Sequence, residues 1–108
     1  MATALRSSQT RLALLAGEMR DAVESTGRHA HQKLPHGLEI VMQRTDGRWR
    51  LAMAREGVWP SDVEVDICRR EFHVPEGSVE RRKRHSRRHP KTGRQLFYSV
   101  VELCWMER

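Results

Sequence analysis

Most of the positive charge of this chain lies in one stretch, and positive side chains at such density can bind anions. The chain has 108 residues and a net charge of +6. Residues 78–94 carry +7, because Glu80 is their only acid, so the remainder sums to −1. This asymmetry is typical of a chain that meets an anionic partner. The candidate binding residues are the cations of this basic segment: Arg81, Arg82, Lys83, Arg84, Arg87, Arg88, Lys91 and Arg94.

The spacing of these cations suits a β-hairpin that binds phosphates. On a strand, Arg82 and Arg84 project to one face, and Arg81, Lys83 and His85 project to the other. If the strand lies at a sheet edge, both rows reach solvent, and a two-stranded ribbon also fits the major groove of DNA. Such binding would be salt-sensitive and mostly independent of sequence. The sequence therefore predicts a non-enzymatic accessory protein that binds DNA or RNA.

Two aromatic residues follow the basic segment. Beside arginines, an aromatic ring can stack on a nucleic-acid base. We expect Phe97 to be buried, because it shares a strand face with Val101 and Leu103. Tyr98 is therefore the predicted stacking residue.

Three other interpretations of the basic segment remain open. A charged edge strand also prevents edge-to-edge aggregation. A run of this kind is also typical of a nuclear-localisation patch. Alternatively, the chain is a small interaction module, a regulator or inhibitor subunit, whose basic segment or N-terminal helix binds an acidic protein surface.

The remaining titratable residues do not predict a catalytic or metal site. His29, His31 and His36, or His85 and His89, lack the spacing and the cysteine partners of a zinc site. Asp62, Glu64 and Asp66 are clustered, but acids at a helix N-terminus are explained by the helix dipole. No GxSxG motif, phosphate-binding glycine loop or Cys–His pair is present. We therefore expect no catalytic residue, no metal and no cofactor.

Residues 1–27 are predicted to form a long amphipathic helix. Their apolar positions fall on one stripe at helical spacing, and Gly27 suits a helix C-terminus. The stripe is formed by Leu5, Leu12, Ala16, Met19 and Val23. It fits the chain's own core, and a homodimer through this helix is the alternative. Residues 28–37, which contain Pro35 and Gly37, are predicted to be a linker.

The core is predicted to begin at residue 38 and to start with a hairpin. Residues 38–43 and 49–54 alternate between apolar and polar side chains on either side of Asp46-Gly47, which is typical of a tight turn. Ser61 and Glu64 then fit a capping box, so residues 62–72 are predicted to be a helix. A strand is the competing interpretation, since Val63, Val65 and Ile67 also alternate. Trp59, just before this segment, is expected to cover the core, with an exposed anchor as the alternative.

The last thirty residues predict a second hairpin. Its turn is Pro90-Lys91-Thr92-Gly93, and its apolar second strand should be central in a sheet. The complete pattern is α+β: an N-terminal helix followed by β-β-α-β-β, with one antiparallel sheet of about four strands and helices packed on a face. The length suits a single domain over residues 1–108. Cys68 and Cys104 are expected to be reduced thiols in a cytoplasmic protein. No apolar run is long enough to span a bilayer, so we do not expect a membrane as a partner.

Overall fold

Five strands form one antiparallel sheet, and both helices lie on one of its faces. A computed structural model describes residues 2–27 and 29–107, with side chains described for residues 11–27 and 29–107. The elements are α1 (Ala2–Thr26), β1 (His29–Lys33), β2 (Glu39–Thr45), β3 (Arg48–Glu56), α2 (Asp62–Glu71), β4 (Val79–Arg88) and β5 (Gln95–Met106). The sheet order is β1-β2-β3-β5-β4. The predicted α+β class is confirmed.

The structure differs from the sequence prediction at the segment that we expected to be a linker. Residues 29–33 form β1, an edge strand that pairs antiparallel with β2, with His31 opposite Val41. Four of the five residues of β1 are exposed, and only Ala30 packs against the core. A strand with so few buried side chains lacks the period-two signal, so only its backbone pairing with β2 defines it.

Helix α1 packs its apolar stripe on its own sheet, near β1 and β2. Ala16, Met19 and Val23 are buried in the core, as predicted. Gly27 takes a φ of 68° and donates its N–H to the carbonyl of Val23, which is a left-handed helix C-terminus. Leu5, which the periodicity assigns to the same stripe, lies outside the residues whose side chains are described.

The first hairpin has the register that its alternation predicts. Ile40 lies opposite Met53 and Met42 opposite Leu51, and all four side chains are buried towards the helices. Asp46 and Gly47 have φ values of 51° and 75°, the conformation of a tight turn whose twist matches the strands. Trp49 on β3 stacks with its cross-strand neighbour on β5, Trp105, with 6.1 Å between the ring centroids.

Residues 62–71 are helical, so the helix interpretation was right. Ser61 Oγ accepts from the N–H of Glu64, and Glu64 Oε1 accepts from the N–H of Ser61, completing the capping box. Val65, Cys68 and Phe72 are buried, as the helical periodicity predicts. Burial raises the pKa of the Cys68 thiol to about 12.

The second hairpin places an apolar strand beside a fully charged one. Strand β5 lies between β3 and β4, and it is buried on both faces, with Val101 towards the helices and Val100 away from them. Strand β4 lies at the sheet edge opposite β1, and each of its residues is exposed. The central position of β5 confirms the sequence prediction, and the edge position of β4 meets the condition under which both of its rows of cations reach solvent.

Candidate nucleic-acid interface

The basic hairpin, formed by β4, β5 and the turn between them, projects past the end of β3. Strand β3 ends at Glu56, which lies opposite Tyr98, and the N–H of Gly57 donates to the carbonyl of Phe97. Residues of β5 before Phe97 pair with β4. Both faces of the projecting end are therefore accessible to a ligand.

The turn of the basic hairpin is held by its own hydrogen bonds. The N–H of His89 donates to the carbonyl of Arg94, and the N–H of Gly93 donates to the carbonyl of His89. The imidazole Nδ1 of His89 accepts from the N–H groups of Lys91 and Thr92 at 3.2 and 3.3 Å. His89 therefore has a structural part in the turn, which the sequence did not suggest. Gly93 has a φ of 70°, where glycine is favoured.

On the helix side of β4, two arginines lie over one tryptophan. The guanidinium carbons of Arg82 and Arg84 are 5.9 and 5.4 Å from the ring centroid of Trp59. Trp59 packs against the core and is only partly exposed, which agrees with the prediction that it covers the core. Its ring therefore makes a cation–π contact with the guanidinium group of each arginine.

Arg82 is also neutralised by the protein's own carboxylates. Its guanidinium lies 3.4 Å from Glu80 and 3.4 Å from Asp62. Arg69 of α2 donates to Glu80 at 2.9 Å, so β4 and α2 share one ionic network. Hydrogen bonds from Arg69 and Arg82 lower the pKa of Glu80 below its ordinary value.

On the opposite face, Lys83 is paired as well. Its Nζ lies 3.2 Å from Glu102 on β5, and the same carboxylate accepts from Arg50 on β3. Glu102 is only 6% exposed. Burial raises the pKa of this carboxyl, but the hydrogen bonds from Arg50 and Lys83 outweigh burial and hold the pKa below its ordinary value.

The expectation that the whole basic segment presents free charge therefore needs correcting for Arg82 and Lys83. The remaining six cations have no ion pair with a carboxylate in the described part of the chain, and all six are exposed: Arg81, Arg84, Arg87, Arg88, Lys91 and Arg94. Arg88 donates instead to the carbonyl of Gly93 at 3.1 Å. The unpaired charge of the hairpin thus extends from Arg81, near the start of β4, to the projecting end.

The structure reverses the expected burial of the two aromatic residues. Phe97 is 57% exposed, so the prediction that it is buried was wrong. It does share a face with Val101 and Leu103, but it lies outside the core cluster that those residues join. Tyr98 is half-buried, and Arg87 lies over its ring at 5.0 Å and donates to its hydroxyl at 3.0 Å.

Two of the three clustered acids of α2, Asp62 and Glu64, have arginine partners. Arg55 forms two hydrogen bonds to Glu64, and together with Ser61 it lowers the pKa of this carboxyl from 4.5 to about 2. Across residues 11–27 and 29–107, the structure contains no group of three His, Cys, Asp or Glu side chains arranged to hold a metal ion.

Comparisons of the chain with protein-family models, with curated proteins and with solved structures found no match. Neither helix in the described residues combines the length and the apolar character needed to cross a bilayer.

Proposed function

We propose that this chain is a non-enzymatic nucleic-acid-binding protein whose basic hairpin binds the phosphate backbone. The observation that carries the proposal is the set of six exposed cations on an edge hairpin, none paired with a carboxylate among the described residues. Charged side chains also protect an edge strand from pairing with another chain, but that purpose does not require a cluster of this size.

The arrangement of the cations supports a polyanion as the partner. Side chains of a strand alternate between its two faces, so the unpaired arginines of β4 form one row on each face. Arg84 and Arg88 belong to one row, and Arg81 and Arg87 belong to the other. Each phosphate contact releases a condensed counterion, which gives tight binding without base contacts.

Several cations are also held in position before any ligand arrives. Trp59 supports Arg84, Tyr98 holds Arg87, and the turn carbonyl of Gly93 holds Arg88. Side chains that are already ordered lose less conformational entropy on binding. This preorganisation supports ligand binding, and not solubility alone, as the role of these arginines.

The salt dependence of binding tests the proposal. Fluorescence anisotropy with labelled random duplex and single strands should give log–log slopes of up to about −5 and −4, respectively, if all six cations contact phosphates. Replacing Arg84, Arg87 and Arg88 with Gln should reduce the steepness by about 2 to 3 and weaken binding to both ligands.

A matched control removes the same charge elsewhere. Arg11, Arg48 and Arg70 are exposed and lie on α1, at the start of β3 and on α2. Replacing these three with Gln should leave the slope within about 1 of the wild type. Equal effects of the two triple variants, or no binding of either ligand at about 50 mM salt, would reject the proposal and favour an acidic protein partner.

A further inference from the structure

Phe97 stands out as an apolar ring in the middle of a charged surface. It is 57% exposed, on the helix side of β5, and it lies opposite Ser86 of β4. No ring contact joins it to another aromatic residue or to a cation within the described residues. Its ring is therefore open to a ligand.

The neighbours of Phe97 are two of the unpaired arginines. In the register of the hairpin, Arg84 and Arg88 precede and follow Ser86 on the same face of β4, so they flank the ring. Ser86, the residue directly opposite Phe97, has only a small side chain. Trp59 and the carbonyl of Gly93 hold the two arginines to either side.

We propose that Phe97 is a stacking platform for an unpaired base, and that the preferred ligand is single-stranded nucleic acid. This inference rests on the proposed function, because Arg84 and Arg88 would bind the phosphates on either side of the stacked base. In a duplex, the base faces are already stacked on one another and cannot reach the ring. Stacking on an aromatic side chain is sequence-tolerant, because every base has a π-face.

Tyr98 is the less suitable of the two aromatic residues. Arg87 already lies over its ring and holds its hydroxyl. A base would have to displace this arginine, whereas no cation or aromatic ring in the described part of the chain lies over Phe97, which is 57% exposed. The geometry therefore assigns base stacking to Phe97, which the sequence pattern predicted to be buried.

The test compares Phe97→Ala with wild type on a thymidine strand of about 15 nucleotides and on a duplex of equal length. We expect the variant to bind the single strand at least about tenfold more weakly and to bind the duplex with less than about a twofold change. The salt slope should not change, because no charge is lost. Phe97→Trp should retain single-strand binding.

A strand that carries abasic sites in place of bases isolates the stacking contribution. Wild type should prefer the strand with bases, and Phe97→Ala should lose that preference. Leu14→Ala, which removes an exposed apolar side chain of α1, is the control and should change nothing. Because Phe97 is more than half exposed, its replacement should leave the urea midpoint of unfolding close to that of wild type.

The outcomes separate this inference from the proposed function. If wild type binds both ligands with a steep salt slope but Phe97→Ala has no effect, or weakens both equally, the stacking role is wrong and phosphate binding stands. If wild type binds neither ligand, the proposed function itself fails.

Discussion

Arg82 of β4 lies 3.4 Å from Asp62, the first residue of α2, and this ion pair joins the edge strand to the helix layer. The same guanidinium contacts Glu80 and lies over Trp59. Arg82 thus differs in kind from Arg88, six residues further along the same row, which has no carboxylate partner in the described structure.

We therefore expect Arg82→Gln to act mainly on stability. Loss of the exposed ion pairs and of the contact with Trp59 should lower the free energy of unfolding by about 0.5 to 1 kcal/mol. Arg88→Gln should leave stability unchanged and weaken nucleic-acid binding more than Arg82→Gln does. Urea denaturation and anisotropy measure the two effects, and the reverse pattern would show that Arg82 is the binding residue.

The ion pair with Glu102 should keep Lys83 from contacting the phosphates of a nucleic acid. Replacing it with Gln should lower the free energy of unfolding by about 1 to 3 kcal/mol, because a buried acceptor of charged hydrogen bonds is weakened. The released Lys83 should make the salt slope of binding steeper by about 1. Glu107→Gln, which removes an equal charge beside Arg44, is the control. An unchanged slope in Glu102→Gln would mean that Lys83 does not reach the ligand.

The pair of Arg55 and Glu64 should make stability depend on pH in the acid range. Arg55 and Ser61 hold the pKa of Glu64 at about 2, below its ordinary 4.5. Since the folded-state pKa is the lower one, this contribution is complete above about pH 4.5 and is lost as the pH falls through 2.

Glu64→Gln keeps an acceptor for the capping box but removes the charge. It should cost about 1 to 2 kcal/mol at pH 7 and clearly less at about pH 3, as measured by urea denaturation at both values. A loss of the same size at both values would assign the effect to the cap and not to the ion pair.

Trp59 should report binding at the hairpin by its fluorescence. The Trp59 ring lies 5.4 Å from the guanidinium of Arg84, so a phosphate that binds Arg84 should change the environment of the indole. Addition of an oligonucleotide should change the emission of wild type and of Trp105→Phe, but not that of Trp59→Phe. A response that persists in Trp59→Phe and disappears in Trp105→Phe would place the ligand in the groove lined by Trp49, Arg50 and Trp105.

Much of the fold could be predicted because its signals are local. The spacing of Ala16, Met19 and Val23, the capping box of Ser61 and Glu64, and the turn at Asp46-Gly47 each depend on residues a few positions apart. Strand β1 could not be predicted in this way. Its exposed side chains carry no pattern, and its existence depends on backbone pairing with β2.

The sequence alone determined where the charge lies and which strand faces carry it, because alternation and composition are properties of neighbouring residues. Only the tertiary structure decided which cations remain unpaired and which aromatic ring is exposed. Asp62 and Glu102 reach Arg82 and Lys83 from distant parts of the chain, and Phe97 lies beyond the core that buries Val101. These outcomes depend on the spatial positions of the helices and strands. The order of residues along one strand does not determine those positions.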